Sequence, residues 1–310
     1  MSSLPSVAVI IPTFNGEKWL ENIFRMLRKQ TLCPAEILVI DSGSTDRTCE
    51  IVKKYHIGLQ KISPGDFDHG GTRTLGAGLT TSDILVYMTQ DAVPAATDAL
   101  EQLVVPLVEN RMVAATYGRQ MAVAGATVFS KHLRRFNYPA TSEIRCLQDR
   151  ARLGFKTIFI SNSFAAYKRD VLAAHGYFPK RLLFGEDTLT VAMLLQSGYC
   201  VGYISEAQVY HSHNYSVWQE FKRYFDIGVF HVRQRKVFAQ YGSAGSTGKR
   251  YVLSELSMLK NEKKYWLIPE CLLRNCCKYM GYTLGRNYRV LPGKLPPLLS
   301  MNRKWWSRFS

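Results

Sequence analysis

Two carboxylate positions, far apart along the chain, offer the chemistry from which a function can be argued. Glu186 and Asp187 directly precede an apolar helical run, and Asp91 stands at the end of an apolar strand. A carboxylate can take a proton from a hydroxyl group. A second carboxylate can hold a divalent metal ion against diphosphate oxygens. Transfer of a group from a nucleotide diphosphate to an alcohol requires both roles.

The acid pair also has a plainer interpretation. Asp187 can be the N-cap of the helix that follows, and Glu186 can complement the helix dipole. Adjacent acids in a cleft, however, shift each other's pKa, and an alcohol nucleophile requires a base. We therefore take Glu186 and Asp187 as candidate catalytic residues.

The candidate metal ligand is Asp91, in the segment 89–92 (TQDA), where Gln90 is a further candidate donor contact. One carboxylate, diphosphate oxygens and water suit octahedral Mg²⁺ or Mn²⁺. His211 and His213 are two residues apart in a strand-like segment, so their side chains point the same way. His211 is a candidate ligand and His213 a candidate acceptor contact, although a structural role for this pair stays open.

Two loops that end predicted strands form a candidate nucleotide site. They are the segments 12–16 (PTFNG) and 41–46 (DSGSTD). A carboxylate at a strand end can accept a hydrogen bond from a pyrimidine N3–H, and short hydroxyl side chains can bind ribose. The candidates are Pro12, Thr13, Asn15, Asp41 and Ser44. Asn15 and Ser44 can alternatively serve only as helix caps.

A candidate phosphate site lies at 69–73 (HGGTR), at the start of a predicted helix. Gly71 lets the backbone come close to an anion, and helix N–H groups favour negative charge. Arg73 can bind a phosphate with two hydrogen bonds. A plain turn is the alternative, because most Gly-Gly pairs are turns.

The elements that must position these residues alternate between strand and helix. Continuous β-branched runs predict strands that are buried on both faces of a parallel sheet. Over about 110 residues the order β-α-β-α-β-α-β predicts a doubly wound, mostly parallel α/β sheet flanked by helices. Ligands bind beyond the carboxyl ends of such strands. The predicted strands are 6–14, 36–41, 57–62 and 83–89, and the predicted helices follow Asn15 and cover 45–55, 70–79 and 97–110.

The second half of the chain is less regular. We predict helices or an ordered loop over 131–153, strands at 157–167, 199–204 and 208–211, and helices at 188–196 and 216–240. Residues 242–248 (GSAGSTG) read as a Gly/Ser linker. The predicted domains are therefore a catalytic domain over 1–240, with a donor half at about 1–120 and an acceptor half at about 121–240, and a helical extension over 241–310.

Composition narrows the class of protein. The 310 residues carry a net charge of +16, and the segment 216–310 alone has 18 Lys and Arg against 5 Asp and Glu. Such a basic block attracts polyanions, either nucleic acid or an anionic membrane. Seven scattered cysteines without a CxxC pair predict reduced thiols in a cytosolic protein. Neither a signal peptide nor a membrane-spanning run is evident.

Taken in order, these motifs resemble glycosyltransferase family 2, whose members are inverting enzymes of the GT-A fold. The resemblance covers roughly residues 6–240. The residues of three motifs, 68–73 (DHGGTR), 89–92 (TQDA) and 185–187 (GED), are similar to those of the bacterial rhamnosyltransferase branch of this family. That branch implies dTDP-L-rhamnose as donor and a lipid-linked cell-surface saccharide as acceptor. Another nucleotide sugar, such as a UDP-hexose, is the alternative donor.

The resemblance also implies a mechanism. Asp187 would deprotonate the acceptor hydroxyl, while Arg73 and the metal at Asp91 would offset the charge of the leaving nucleotide. One direct displacement inverts the anomeric carbon. The chain departs from the family pattern in two places, since Thr89 replaces the first acid of the usual Asp-x-Asp motif and Thr74 replaces an asparagine after Arg73.

The basic extension mixes cations with aromatic and aliphatic residues over 265–289, and Trp305 and Trp306 stand among further cations. This composition predicts peripheral attachment to an anionic membrane, at the inner face of the cell membrane. Packing on the catalytic domain or a homodimer contact are alternatives. Trp218, in the amphipathic segment 216–240, is assigned to the acceptor side of the cleft. A nucleic-acid-binding protein is a second class, but no motif for nucleic-acid recognition accompanies the charge.

Overall fold

The computed structural model describes residues 5–242 and 245–309, and the strands within them form one mixed sheet in the order β3-β2-β1-β4-β8-β6-β9-β5, with β7 paired to β9. The strands are β1 (Val7–Thr13), β2 (Glu36–Asp41), β3 (Gly58–Lys61), β4 (Ile84–Met88), β5 (Val93–Pro94), β6 (Val113–Met121), β7 (Glu143–Arg145), β8 (Phe164–Lys168) and β9 (Cys200–Tyr210). The helices are α1 (Glu17–Leu27), α2 (Thr48–Lys54), α3 (His69–Gly78), α4 (Ala99–Glu109), α5 (Val128–Asn137), α6 (Arg150–Leu153), α7 (Arg169–Ala174), α8 (Glu186–Gln196), α9 (Val217–Arg233), α10 (Arg235–Phe238), α11 (Gly245–Asn261), α12 (Ile268–Arg286), α13 (Leu295–Leu299) and α14 (Arg303–Phe309).

The first four strands are parallel, as their buried β-branched runs predict. β1 pairs with β2 on one side and β4 on the other, and β2 pairs with β3. Alternate residues of β1 enter cores on opposite faces of the sheet. Ala8 and Ile10 lie on one face, and Val7, Val9 and Ile11 lie on the other. Thr13 lies opposite Asp41, so the loops after β1 and β2 leave the same edge of the sheet.

The second half of the sheet is mixed. β8 runs antiparallel to both β4 and β6, whereas β6 and β9 are parallel. The sequence did not predict β6 or β7. It predicted two short strands where β9 is continuous, because a register shift opposite Gly118 and Arg119 interrupts the pattern. The strand predicted at 157–167 is limited to β8, and a 3₁₀ helix covers Gly154–Ile158.

The C-terminal helices pack against the rest of the molecule. α12 lies along α9 in close contact, since a Cβ atom at Gly281 or Gly285 would come within 2.4 Å of the α9 backbone. The predicted linker is shorter than expected because α11 already begins at Gly245, and residues 243 and 244 lie outside the described residues. The division into a catalytic domain and an extension stays a prediction.

Trp305 and Trp306 do not form the membrane-facing surface that the sequence predicted. Both are buried in a cluster with Leu183, Phe225 and Val229. The Trp305 indole Nε1 donates to the carbonyl oxygen of Arg181 at 3.1 Å. Their apolar area is therefore covered by the protein itself. In residues 5–242 and 245–309, no helix combines the length and apolar character needed to cross a membrane.

The predicted reduced state of the cysteines is wrong for two of them. Cys146 and Cys200 form a disulfide. β7 pairs antiparallel with β9, with Arg145 opposite Val201, and this pairing brings the adjoining cysteines together. Pairing between residues 54 positions apart depends on the tertiary fold and cannot be read from spacing. The reduced state of the cysteines therefore no longer supports a cytoplasmic location, which stays a prediction.

Candidate active site

One cleft of about 880 Å³ opens at the carboxyl ends of β1 and β4 and is closed on its far side by α8 and α9. It brings together nine of the predicted site residues: Pro12, Thr13, Arg73, Gln90, Asp91, Glu186, Asp187, His211 and His213. Five others do not line it: Asn15, Asp41, Ser44, Gly71 and Trp218. The two acids that the sequence analysis singled out, Asp91 and Asp187, thus share a single cleft.

Asp91 lies in a group with two histidines. Its carboxylate oxygens are 3.3 Å from His211 Nε2 and 3.6 Å from His213 Nε2. Burial works against ionisation of Asp91, but the hydrogen bond and charge of His211 outweigh it and hold the pKa of Asp91 below its usual range. Burial and the neighbouring His211 lower the pKa of His213 to about 4, so this imidazole is neutral at pH 7.

The ring of His211 is oriented by a residue that the sequence analysis did not identify. His211 Nδ1 lies 2.9 Å from the side-chain oxygen of Gln120, which accepts a hydrogen bond from this nitrogen, and the ring nitrogen that faces Asp91 is Nε2. Arg134 donates to the same Gln120 oxygen at 2.6 Å. Such outer hydrogen bonds fix the tautomer of a metal-binding histidine.

Glu186 is held in a buried ion pair. Its Oε1 atom lies 2.9 Å from Arg73 Nη1 and also accepts a hydrogen bond from the Asn162 amide at 3.3 Å. Burial alone would raise the pKa of Glu186, but the charge of Arg73 holds it below the ordinary value. The Arg73 guanidinium also donates to the carbonyl oxygen of His69, so Arg73 is anchored within its own helix.

Asp187 has weaker charge compensation. Its carboxylate accepts hydrogen bonds from the backbone N–H of Thr188 at 2.7 Å and of Asn162 at 3.2 Å. Burial and the negative charge of Glu186 raise the pKa of Asp187 to about 6. The expectation that Asp187 caps the helix is wrong: α8 begins at Glu186, and the N-cap is Gly185, with φ of 80°.

The loop before β8 connects the two acids. Asn162 contacts Asp187 through its backbone and Glu186 through its side chain, while the Tyr167 hydroxyl fixes its amide oxygen at 2.8 Å. The next residue, Ser163, accepts a hydrogen bond from the backbone N–H of Thr89, two residues before Asp91. A single loop therefore ties the end of β4 to the start of α8.

The predicted nucleotide loops are joined to each other. Asp41 accepts hydrogen bonds from the backbone N–H groups of Gly43 and Ser44. Asn15, which has φ of 51°, accepts from Thr45 N, and its own N–H donates to Ser44 Oγ. Asn15 does not cap α1, whose N-cap is Gly16. The roles of Asp41, Asn15 and Ser44 toward a nucleotide stay predictions.

Gln90 and Gly71 also make bonds within the protein. The Gln90 side chain makes two hydrogen bonds to the backbone of Phe14, and thereby links the loops that follow β1 and β4. The N–H of Gly71 donates to the N-cap Asp68 at 2.6 Å, so Asp68 already occupies this anion position of α3. The predicted phosphate contact of Gly71 has no free N–H in this arrangement.

Of the two residues predicted on the acceptor side, one lines the cleft and the other does not. His213 lines the cleft, whereas Trp218 is 53% exposed and stacks on Phe221 outside it. From α9, Arg223 and Tyr224 face the cleft instead. The sequence offered one signal for the missed loop, because the polar triplet 161–163 (SNS) interrupts an apolar run that was interpreted as a strand.

The comparisons define the class of protein. The model of the family "Glycosyl transferase family 2" matches residues 8–176. The O-antigen chain rhamnosyltransferase WbaN of Salmonella anatum is 41% identical over 307 residues, covering 98% of this chain and 96% of the relative. RfbN of Salmonella typhimurium, which has the same description, is 39% identical and covers 97% and 96%. The chain belongs to glycosyl transferase family 2 and is a glycosyltransferase.

Solved structures show the same fold. A mannosyltransferase from Pyrobaculum calidifontis, in complex with GDP-Man and Mn²⁺, superposes with a TM-score of 0.62 at 16% identity, covering 94% of this chain and 89% of that one. TarS residues 1–349 from S. aureus superposes with a TM-score of 0.53 at 17% identity, covering 98% and 89%. The predicted GT-A fold and the resemblance to rhamnosyltransferases are confirmed.

Proposed function

We propose that this glycosyltransferase transfers L-rhamnose from dTDP-L-rhamnose, with inversion, to a hydroxyl of a lipid-linked cell-surface saccharide. The two near-full-length relatives that are named O-antigen chain rhamnosyltransferases support the sugar and the class of acceptor. The observation that carries the mechanism is the shared cleft, which is lined both by a carboxyl of raised pKa, Asp187, and by the group Asp91, His211 and His213.

Asp187 acts as the base. Its pKa of about 6 leaves it ionised at neutral pH but more basic than an ordinary aspartate, which favours proton transfer. The acceptor oxygen forms the new bond to the anomeric carbon while the bond from that carbon to the phosphate oxygen breaks. The hydroxyl proton passes to Asp187, and the electron pair leaves with dTDP. Because one displacement occurs, the anomeric configuration inverts.

Asp91, His211 and His213 fit a divalent cation. Their ligand atoms lie within 4.8 Å of one another, and they offer one carboxylate oxygen and two imidazole nitrogens. His213 is neutral at pH 7 and offers a lone pair, and the hydrogen bond from His211 Nδ1 to Gln120 orients His211 Nε2 toward the same position. When bound, a metal ion in this group would neutralise charge on the leaving diphosphate. The nitrogen ligands favour Mn²⁺ over Mg²⁺, which prefers oxygen.

Arg73 has two roles: it sets the charge around the base, and it would contact the leaving diphosphate. Its pairing with Glu186 compensates one of the two adjacent acids and leaves Asp187 as the more basic member. Glu186 therefore has an electrostatic role rather than that of the base. Contact of Arg73 with a phosphate oxygen remains part of the proposal.

The assignment of donor and acceptor is tested with purified enzyme, Mn²⁺ and a polyprenyl-diphosphate-linked saccharide. We expect dTDP-L-rhamnose to extend the acceptor by one deoxyhexose, detected by product mass, and NMR to show the inverted linkage. UDP-glucose and UDP-N-acetylglucosamine are tested in parallel as comparison donors, and we expect no extension of the acceptor with them. Extension by a UDP-sugar in the absence of rhamnosyl transfer would contradict the proposed donor and support the alternative.

The acceptor implies a location. A lipid-linked acceptor places the enzyme at the inner face of the cell membrane, and the basic segment 216–310 would favour an anionic surface. Nucleic acid is the competing polyanion. Thermal unfolding separates the two: dTDP-rhamnose with Mn²⁺ should raise the melting temperature, and stabilisation by DNA alone would contradict the enzyme assignment.

A further inference from the structure

The outward face of α12, with the turn before it, carries a continuous set of exposed apolar side chains. Trp266 and Tyr279 are each 72% exposed, and large aliphatic residues between them are about half exposed. Their spacing of three and four residues places them along one stripe of the helix. We call this surface the α12 stripe: Trp266, Pro269, Leu272, Leu273, Cys276, Tyr279 and Met280.

The cations in the middle of α12 do not reach this surface. Arg274 and Lys278 are buried on the opposite face, where they lie 3.1 and 3.4 Å from Glu220 of α9. Glu270, at the border of the stripe, is paired with Arg274 at 2.8 Å. The sequence mixes cations and apolar residues, but the fold separates them, so the stripe is apolar through its centre.

The remaining cations stand at the two ends of the stripe. Lys263 and Lys264 precede α12, where Lys264 is paired with Glu262 at 2.7 Å and Lys263 leaves this end net positive; Arg286 ends the helix, and Arg289 and Lys294 follow it. An apolar helix face with cations at both ends matches a bilayer interface, where acyl chains meet the apolar side chains and anionic headgroups meet the cations.

A second copy of the chain fits this surface less well. If two α12 helices packed stripe to stripe, either parallel or antiparallel, a cationic end of one would lie beside a cationic end of the other. Like charges brought together at an interface oppose association. Anionic lipid headgroups instead neutralise both ends. The charge pattern therefore favours lipid over a homodimer.

We propose that the α12 stripe binds the surface of an anionic lipid bilayer, with the helix lying in the plane of the membrane. One helix layer separates the stripe from the cleft, because α12 packs on α9 and α9 supplies Arg223 and Tyr224 to the cleft. Resting on the proposed function, this position holds the acceptor side of the cleft next to the membrane that carries a lipid-linked acceptor.

Co-sedimentation with vesicles tests the surface directly. The full-length protein should pellet with vesicles of phosphatidylethanolamine and phosphatidylglycerol, and weakly with phosphatidylcholine alone. The triple variant Trp266→Ser, Leu273→Gln, Tyr279→Gln should lower the partition coefficient by about tenfold or more, because it removes buried apolar area. The matched control, Leu79→Gln, Val108→Gln, Met112→Gln, changes exposed apolar residues elsewhere and should bind as the wild type does.

Further measurements separate the competing outcomes. Because Trp218 is also exposed, the quenching test uses a Trp218→Phe background: brominated lipids should quench the tryptophan fluorescence of Trp218→Phe and not that of Trp218→Phe, Trp266→Phe, since Trp305 and Trp306 are buried. Light scattering without lipid should give the same molar mass for wild type and triple variant. The proposal would be overturned if the triple variant pelleted as the wild type does, or if the wild type were a dimer and the triple variant a monomer. Transfer to a water-soluble acceptor should be unchanged in the triple variant; absence of rhamnosyl transfer in the wild type would instead count against the proposed function.

Discussion

Glu186 and Asp187 are neighbours in the chain, yet their surroundings separate their pKa values. Glu186 faces the guanidinium of Arg73, whereas Asp187 meets two backbone N–H groups and the charge of Glu186. A pair of titratable groups whose environments push their pKa values apart is the usual arrangement of an acid–base site. The motif alone gives two equivalent acids, and only the placement of Arg73 tells them apart.

The pH dependence of the reaction tests this electrostatic assignment. The base must be ionised, and the pKa of Asp187 is about 6, so kcat/KM should fall as the pH drops through about 6. Glu186→Gln removes a negative charge that raises this pKa. In Glu186→Gln, the fall of kcat/KM at acidic pH should therefore occur at a lower pH than in the wild type.

The control for this shift is Glu109→Gln, an exposed acid on α4 away from the cleft, which should leave the profile unchanged. Rates are measured under kcat/KM conditions from pH 5 to pH 8 with saturating Mn²⁺. An acidic limb that stays in place in Glu186→Gln, or moves to higher pH, would contradict the account of Asp187.

The metal preference is a second test at the scale of residues. Two imidazole ligands beside one carboxylate should bind Mn²⁺ more tightly than Mg²⁺. His211→Ala should weaken Mn²⁺ binding by about 10-fold to 100-fold, measured by calorimetry in the presence of dTDP. The control is His175→Ala, at the end of α7 and outside the cleft. Equal affinity for both metals, with no effect of His211→Ala, would remove the histidines as ligands.

At the scale of elements, the sequence predicted the parallel half of the sheet well. Runs such as 7–11 (VAVII) are apolar, mostly β-branched and buried on both faces, so local pattern and tertiary environment agree. β6 was missed because Gly118 and Arg119 break its pattern where the ladder to β9 shifts. β7 has three residues, and its pairing with β9 is decided by the fold.

Some residues of the candidate site were predicted from the sequence and others were missed, again because some contacts are local and others depend on the fold. Asp91, Asp187 and His211 were predicted because each follows or begins a recognisable element. Gln120 and Asn162 were not, because they act on other side chains and their contacts span 91 and 25 residues. Asp41 and Gly71, predicted as ligand contacts, make hydrogen bonds within their own loops, and their roles toward a ligand stay predictions.

The contact between α9 and α12 gives a prediction at this scale. A Cβ atom at Gly285 would lie 2.0 Å from the carbonyl oxygen of Phe225, and backbone must shift to accept it. Gly285→Ala should therefore lower the free energy of unfolding by about 1–3 kcal/mol, measured by urea denaturation. Gly78→Ala, where nothing lies within 4 Å of the added atom, is the control and should not destabilise. Equal stability of the two variants would mean that α12 is not seated as described.

At the scale of the whole molecule, the C-terminal helices are part of the cleft rather than an appendage to it. Lys278 of α12 and Lys304 and Arg308 of α14 line the same cleft as Asp91 and Asp187. The basic block that composition reveals therefore has two faces: cations that turn inward to the cleft or to Glu220, and cations that flank the α12 stripe. Composition gave the charge but could not separate these two faces.

The central claim is that Asp91 and Asp187 act on opposite ends of the same scissile bond. The most direct measurement compares Asp187→Asn and Asp91→Asn, with donor binding followed by calorimetry and transfer by product mass. Asp187→Asn should bind dTDP-rhamnose with Mn²⁺ as the wild type does but lower kcat by about 10²–10⁴-fold, the usual contribution of a general base. Asp91→Asn should lose the Mn²⁺-dependent part of donor binding. Near wild-type kcat in Asp187→Asn, or undiminished Mn²⁺-dependent binding in Asp91→Asn, would contradict the account.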